Sequence, residues 1–323
     1  MSNFSPDRRR HSLSRVYQLT ADLRMDLRGH RSSDDAASPW RQFLRGIELQ
    51  FLPHYFGLPP RWRLKVRALS GERTLPDFCV IGAPKCGTTD LAVSLLLHPN
   101  VLAPLCKEFW SANPDSWRIL YPTHREKRRH AERHGMALSP FLVPCLHRIE
   151  LLHSLARARP GAKIVLTLRK PEERVYSQWK WEVFLAGRKR AANLPFLSSF
   201  SAYVDKALEV YPDYPMFTAC GFCPLMSSVY WKAVGYWRES FGPENVMALD
   251  MADYFCDRNR ALRRIQEFVG LPYVPIPQFS TRINENPLAL PPPDEPSLAK
   301  LRAFFRPSNE RLWDVIGERW NWH

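Results

Sequence analysis

The sequence lacks several features that would assign it to other classes of protein. No stretch of about 18 consecutive apolar residues occurs, so no transmembrane helix is expected. No signal peptide is recognisable, and the 7 cysteines are odd in number and irregularly spaced, which favours reduced thiols and a cytoplasmic location. No long basic run with interleaved aromatic residues is present, so a nucleic-acid groove is not indicated.

Acidic residues are scarce compared with basic ones. The chain has 46 Lys and Arg against 32 Asp and Glu, which gives a formal net charge of +14. Such an excess favours anionic partners, among them nucleotides, acidic or sulfated glycans and anionic membrane surfaces, with a basic but inert surface as the alternative. The moderately apolar segment 43–58 would allow a peripheral membrane contact, although packing against the main domain is the preferred interpretation.

Patterns that would hold a metal ion are also missing. Cys220 and Cys223 have CxxC spacing, but no second pair stands at zinc-finger distance, so packing is favoured over metal or redox use. No acidic Mg²⁺ motif is recognisable either. We therefore expect that the protein requires no metal.

The composition changes along the chain and divides it into three parts. Residues 1–38 are polar and rich in Arg, Ser and Asp, which is typical of a flexible arm. Residues 39–75 are expected to form a helical lead-in, and residues 76–323 a single domain, since an apolar content of 45% supports one sizeable core. Within that domain, the proline-rich stretch 287–296 is expected to be an extended loop.

Three short apolar runs predict the sheet of this domain. Phe78–Gly82, Ile164–Leu168 and Val246–Asp250 suit strands that are buried on both faces, and each is followed by a helical pattern. Strands that alternate with helices are typical of a parallel sheet with helices on both faces. The predicted fold class is therefore α/β, with a central parallel sheet flanked by helices.

The turn after the first strand has the composition of a phosphate-binding loop. Its residues are Gly82, Ala83, Pro84, Lys85, Cys86, Gly87, Thr88 and Thr89. Backbone amides in such a turn, together with the positive end of the following helix, form a cradle for phosphate, and Lys85 adds a cation. Nucleoside triphosphatase loops place Lys directly after the second Gly, whereas Lys85 precedes Gly87 by two positions. Because Cys86 lies beside Lys85 at a helix N-terminus, its thiol is expected to have a lowered pKa. Redox sensitivity and simple packing are the two open interpretations of this residue.

A second anion-binding pattern follows the second strand. Arg169 stands directly at the carboxyl end of that strand, and Ser177 lies eight residues further on, in the next helix. Ligands of open α/β sheets bind at the carboxyl ends of strands, where Arg169 would present two donors to a phosphate and Ser177 a hydroxyl. The alternative for such an arginine is a surface ion pair.

With both patterns at this separation, the sequence resembles the sulfotransferases that use 3′-phosphoadenosine 5′-phosphosulfate (PAPS) as donor. The loop around Lys85 is similar to the family's PKxGTT phosphosulfate loop, and Arg169 to Ser177 is similar to its RxPxxRxxS site for the 3′-phosphate. The stretches Lys85–Leu91 and His98–Val101 look most like the carbohydrate branch, which modifies chondroitin-type and heparan-type chains. The resemblance implies a P-loop-like sulfotransferase fold and PAPS as the donor.

Further along the chain the resemblance continues and also shows departures. The segment from Tyr230 to Phe241 is similar to a family helix. Phe305–Asn309 with Leu312, Gly317 and Trp322 looks like the closing segment of the heparan-type enzymes, so that the likeness covers about residues 77 to 322. The loop that closes over the nucleotide corresponds to a stretch whose single cation is Arg282, and the resemblance implies that Arg282 contacts the nucleotide. Asp90 stands where the cytosolic branch has a tryptophan that stacks on adenine, so this contact must come from elsewhere.

The resemblance also implies how the reaction runs. Sulfuryl transfer is expected to be in line and loose, with Lys85 neutralising the charge that grows on the leaving phosphate. Glu108, in a segment similar to that of the carbohydrate branch, is implied to be the general base, although pairing of Glu108 with a nearby cation is the structural alternative. His98 and His124 are rival bases.

The acceptor is expected to be a glycan, a glycolipid or a small hydroxylated metabolite. The rival functions are a kinase-type phosphotransferase and a non-catalytic nucleotide-binding module.

Overall fold

The computed structural model describes residues 61–108, 111, 113–189, 194–212, 223–276 and 288–322. Several sequence predictions concern residues outside this part of the chain. They are the arm 1–38, most of the lead-in 39–75, the apolar segment 43–58, the nucleotide-closing Arg282 and the Cys220 partner in the CxxC pair.

A parallel sheet of four strands lies at the centre of the described domain. Its strands are β1 (Phe78–Gly82), β2 (Pro140–Val143), β3 (Lys163–Leu168) and β4 (Val246–Asp250), in the spatial order β2-β1-β3-β4. All three pairings are parallel. The three strands predicted from apolar runs are confirmed, and so is the α/β fold class.

Strand β2 was not predicted from the sequence. It has only 4 residues, and a proline stands at its first position and another directly after it. Proline cannot donate to a sheet and usually argues against a strand, but it is tolerated at the first residue of a strand and on sheet edges. Both conditions hold here, because β2 is an edge strand that pairs with β1 alone.

Eleven helices surround the sheet within the described residues. They are α1 (Arg61–Ala68), α2 (Thr88–Leu96), α3 (Pro114–Arg118), α4 (His124–His134), α5 (Ile149–Ala158), α6 (Pro171–Lys189), α7 (Phe200–Val210), α8 (Trp231–Phe241), α9 (Met251–Cys256), α10 (Arg258–Phe268) and α11 (Glu295–Ile316). Short 3₁₀ turns lie at Pro195–Leu197, Met226–Ser228 and Pro243–Asn245.

The proline-rich stretch near the end of the chain becomes helical earlier than predicted. Asp294 caps the amino end of α11 by accepting a hydrogen bond from the Ser297 amide, and Pro296 lies in the first turn. Proline is tolerated at this position because the amides of a first turn have no partner within the helix. The predicted extended loop 287–296 is therefore wrong from residue 295 onward.

Two hydrophobic clusters hold these elements together. The larger one surrounds the sheet, whose first strand is buried along its whole length, as expected for a strand covered on both faces. The smaller one joins α6, α7 and α11 through Val175, Trp179, Phe200, Leu301 and Phe305. In the part of the chain that the structure describes, no helix has both the length and the apolar character to cross a membrane.

All four strands end at the same edge of the sheet because all their pairings are parallel. Helices α2, α6 and α9 begin close behind β1, β3 and β4, so their amino ends, which carry a partial positive charge, converge on this edge. The carboxyl edge is therefore where an anionic ligand is expected to bind.

Candidate functional site

Two glycines allow the loop between β1 and α2 to pack tightly. A Cβ atom at Gly82 would lie 2.1 Å from Thr88 Cγ2 and 2.4 Å from Thr167 Oγ1. Gly87 has φ 66°, and a Cβ atom there would lie 2.5 Å from Met251 Cε. The loop therefore lies directly on β3 and α9. Its last amides belong to the first turn of α2, where no helical carbonyl can accept their hydrogen bonds.

Lys85 stands at the top of this loop in a conformation that is unusual for its residue type. Its φ is 70°, in the left-handed region that favours glycine, and such strain clusters at functional sites. The ammonium group lies over the indole ring of Trp181, with 4.2 Å between Nζ and the ring centroid. Trp181 belongs to α6, so the cation of the first motif lies beside the helix that carries the second motif.

Arg169 stands at the predicted place, directly after β3. Its guanidinium group pairs with the carboxylate of Glu173, at 3.0 Å from Nη2 to Oε2, so the ion pair foreseen as the alternative is present. The Arg169 backbone carbonyl accepts a hydrogen bond of 2.9 Å from the hydroxyl of Tyr230, which also lies 3.8 Å from the Cys86 sulfur. Tyr230 thereby connects the second motif to the phosphate loop.

A buried arginine that was not among the predicted site residues supports the loop from below. Arg174 is fully buried, and its Nη1 donates a hydrogen bond of 3.0 Å to the carbonyl of Pro84 in the loop. Its other donors reach Ser228 Oγ, the Pro224 carbonyl and Gln178 Oε1. A buried guanidinium group is tolerated when its donors are satisfied. The sequence signal was the second arginine of the RxPxxRxxS pattern, and here this residue holds the loop in place.

Ser177 lies on the same helix, three residues after Arg174, and is half-buried. Residues three apart share one face of a helix, so Ser177 lies on the face of α6 that is directed to the loop. The structure thus brings the elements of both motifs to one edge of the sheet.

Glu108 lies at the edge of the sheet, next to β2. Its amide donates a hydrogen bond of 3.0 Å to the Leu142 carbonyl, and its φ is 69°. The carboxylate accepts a hydrogen bond of 2.6 Å from Lys107 Nζ, and the same ammonium group donates to Thr89 Oγ1 at 3.0 Å. The pairing with a cation foreseen as the alternative is therefore present. Through Lys107, two hydrogen bonds connect the Glu108 carboxylate with Thr89 at the start of α2.

Neither rival histidine has the geometry of a base at this edge. Nε2 of His98 donates to the Pro272 carbonyl at 2.9 Å, and Nδ1 accepts from the Asn100 amide at 3.1 Å, so both ring nitrogens are engaged. His98 follows the far end of α2, roughly 14 Å from the loop at about 1.5 Å per residue. His124 lies beside Glu72, which precedes β1, whereas the loop follows β1. Both rivals therefore lie at the amino edge of the sheet, away from the loop.

The expected lowering of the Cys86 pKa is wrong. The side chain is completely buried, and this burial raises the pKa of the thiol to about 11, against the smaller opposing influence of Arg174. Cys86 is therefore a small packing residue beneath the loop.

Asp90, which replaces the adenine-stacking tryptophan of the cytosolic branch, has a structural contact. Its buried carboxylate accepts hydrogen bonds from the hydroxyl of Tyr254 at 2.8 Å and from Arg258 Nη2 at 3.0 Å. These bonds tie α2 to α9 and α10. Asp90 thus fixes the helix that begins at the phosphate loop.

The last described residues also reach the carboxyl edge. The indole of Trp322 donates a hydrogen bond of 2.8 Å to Asp250 at the end of β4, and its ring packs edge-on against Tyr230 with centroids 6.0 Å apart. Burial raises the pKa of the Asp250 carboxyl. Sequence reasoning had noted Trp322 but not this contact, which braces Tyr230 between the two motifs.

The described residues contain no cluster of three or more His, Cys, Asp or Glu side chains that could hold a metal ion. The expectation that no metal is required stays a prediction.

The arrangement defines an α/β protein with a phosphate loop after the first strand and an arginine after the next strand of the sheet. Residues 75–278, well over half of the chain, match the family profile described as "Sulfotransferase domain". The chain belongs to this family of sulfuryl-transferring enzymes, for which PAPS is the donor.

Curated relatives and a solved structure agree with this membership. Human carbohydrate sulfotransferase 15 is 22% identical over an aligned region that covers 76% of this chain and 54% of the relative. Human heparan sulfate glucosamine 3-O-sulfotransferase 5 is 22% identical over an aligned region that covers 87% of this chain and 82% of the relative. A sulfotransferase from Alicyclobacillus acidocaldarius has a TM-score of 0.53 and 21% identity, with 76% of this chain and 98% of that chain covered.

These similarities differ in what they show. The solved structure shows the fold alone. The chain spans about half the length of carbohydrate sulfotransferase 15. The predicted resemblance to PAPS-dependent and carbohydrate sulfotransferases is confirmed.

Proposed function

We propose that this protein transfers a sulfuryl group from PAPS to a hydroxyl, or an amine, of a carbohydrate, glycolipid or small-molecule acceptor. The observation that carries the proposal is the physical connection of the two motifs. Arg174 holds the loop carbonyl of Pro84, and Tyr230 bonds the Arg169 carbonyl while touching Cys86. An arginine that merely formed a surface ion pair would not need such a connection to a phosphate loop.

The donor would bind along the carboxyl edge of the sheet. The loop 83–89 and Lys85 would hold the 5′-phosphosulfate, because backbone amides and a helix amino end are suited to a phosphate. Arg169 and Ser177 would hold the 3′-phosphate, with Arg169 sharing its guanidinium group between that phosphate and Glu173. Arg282 remains a proposed nucleotide contact outside the described residues.

Two residues would carry the chemical step. As the acceptor oxygen forms its bond to sulfur, the bond from sulfur to the bridging oxygen of PAPS breaks and 3′,5′-bisphosphoadenosine leaves. Lys85 would neutralise the charge that develops on the bridging oxygen. Glu108 would take the acceptor proton on its carboxylate, with Lys107 orienting that carboxylate relative to Thr89.

The acceptor is proposed to be a glycan or another sugar-bearing molecule. The names of two relatives refer to carbohydrate and to heparan sulfate glucosamine. The formal charge of +14 suits an acceptor that carries acidic groups. A cytoplasmic location and a peripheral contact with a membrane stay predictions.

An acceptor screen with radiolabelled PAPS tests this function. Label should pass to at least one carbohydrate or glycolipid acceptor, and the transfer should continue in EDTA, because Lys85 and the loop amides supply the positive charge. Turnover that is abolished by chelation and restored by Mg²⁺, with ATP as the better donor, would favour the kinase-type reaction instead.

A further inference from the structure

A groove separate from the phosphate loop opens between α5 and α8. It has a volume of about 240 Å³ and is lined mainly by apolar side chains, including Leu146, Leu152, Val229, Ala233 and Trp237. This space equals about eight water molecules at ~30 Å³ each, which suits an aryl ring or a short alkyl chain. Ligand sites are typically concave and mostly apolar with a few polar groups.

The rim of the groove exposes apolar side chains to solvent. Tyr236 is 47% exposed, and Ile149 and Met226 are each 39% exposed, which places them among the most exposed large apolar residues that the structure describes. Two cations, Arg148 and Lys232, also line the groove. A cluster of exposed apolar groups beside two cations is suited to an amphiphilic molecule that carries an acidic group.

The groove lies next to the candidate base. Leu146, which lines the groove, donates its amide hydrogen to the carbonyl of Gly82, the last residue before the phosphate loop, at 3.1 Å. Four residues before Leu146, the carbonyl of Leu142 in β2 accepts the amide hydrogen bond of Glu108 at 3.0 Å. The candidate base and the groove therefore contact the two ends of one short segment, 142–146.

We propose that this groove binds the apolar aglycone of an acidic glycoside, so that the acceptor is an amphiphilic sugar derivative. A hydroxyl of the sugar would meet Glu108, the acidic group would meet Arg148 and Lys232, and the aglycone would fill the space between α5 and α8. This assignment rests on the proposed function, because it names the acceptor class of the same site.

Four acceptors separate the contributions of the aglycone and the acidic group. Submicellar n-octyl β-D-glucuronide is compared with methyl β-D-glucuronide, n-octyl β-D-glucoside and methyl β-D-glucoside, with PAPS as donor. The octyl glucuronide should have a KM at least about tenfold below that of the methyl glucuronide, since burial of several methylene groups exceeds the free energy of a tenfold change. The KM of the octyl glucoside should lie between the KM values of the octyl glucuronide and the methyl glucuronide.

Variants of the groove sharpen the test. Ala233→Leu fills the space from α8, and Tyr236→Ala removes the exposed rim, so both should bring the octyl-to-methyl KM ratio close to one. Tyr273→Ala is the matched control, because Tyr273 is 38% exposed and follows α10, outside the groove. This control should keep the wild-type ratio.

Direct binding distinguishes this inference from the proposed function. Calorimetry of octyl glucuronide and of 3′,5′-bisphosphoadenosine is carried out on the same wild-type protein. Bound octyl glucuronide without bound nucleotide would overturn the function and leave the groove intact. Nucleotide binding and turnover with equal KM values for octyl and methyl glycosides would overturn the aglycone site, and another occupant, such as a further segment of this chain, would then cover the groove.

Discussion

The proposed donor half and the proposed acceptor half of the site are built differently. The phosphate loop follows the buried strand β1 and is held from below by the fully buried Arg174, so its shape is fixed by backbone and core. Glu108 lies beside the short edge strand β2, where its carboxylate is one-third exposed and pairs with Lys107. A rigid donor half suits one invariant nucleotide, whereas an exposed acceptor half is where differences in acceptor can be accommodated.

The largest effect should come from the acceptor half. Glu108→Gln keeps the size of the side chain but removes its ability to take a proton, so kcat should fall by about 10²–10⁴-fold. Nucleotide affinity should be unchanged, because the proposed function assigns Glu108 to the acceptor and not to the nucleotide.

Glu209→Gln is the matched control for this variant. Glu209 also pairs with a lysine, Lys206, but on the exposed surface of α7, and its substitution should leave kcat unchanged. If Glu108→Gln keeps near-normal turnover, Glu108 is structural. Since His98 and His124 lie at the other edge of the sheet, the base would then be another residue.

In the donor half, a substitution should lower kcat as well, but it should also weaken nucleotide binding. Lys85→Ala should lower kcat by about 10²–10³-fold, as for removal of one preorganised charge-stabilising donor. It should also weaken the binding of 3′,5′-bisphosphoadenosine, which Glu108→Gln should not do. Lys180→Ala is the control, because the Lys180 ammonium also lies over an aromatic ring of α6, that of Tyr176. Unaltered nucleotide affinity in Lys85→Ala would contradict the difference between the halves.

The sequence predicted the donor half better than the acceptor half, and the reason is physical. Strands β1 and β3 are continuous apolar runs, and the loop and Arg169 follow them directly, so local sequence placed both motifs at the same edge. Strand β2 is short and flanked by prolines, and without it the position of Glu108 on the sheet could not be derived. The resemblance alone assigned that residue.

Contacts between distant segments account for most of what was missed. The hydrogen bond from Arg174 to Pro84 joins residues 90 positions apart, and the bond from Tyr230 to Arg169 joins residues 61 positions apart. The RxPxxRxxS pattern contains Arg174, but no local signal indicates the distant partner in either bond. The exclusion of His98 likewise depends on Pro272, a partner 174 residues away. The Cys86 pKa was predicted in the wrong direction because burial, which is a tertiary property, outweighs the helix end.

The smallest effect concerns the reactivity of the Cys86 thiol in the donor half. Because burial raises the pKa of Cys86 to about 11, its thiol should stay protonated below that pH and gain thiolate only as the pH rises through it. Iodoacetamide at pH 8 should therefore alkylate the exposed Cys256 of α9 and spare Cys86, as read by peptide mass spectrometry of the folded protein. Rapid modification of Cys86 under these conditions would show that the loop opens readily and is not held by the core.

The central claim is that the carboxyl edge of this sheet recognises a nucleotide with a 3′-phosphate. Calorimetry with 3′,5′-bisphosphoadenosine and with AMP tests it most directly, because the two ligands differ in the phosphate assigned to Arg169 and Ser177. The wild-type protein should bind the bisphosphate far more tightly than AMP, and Arg169→Ala should lose most of this preference. Equal affinity of the wild-type protein for both nucleotides would contradict the account.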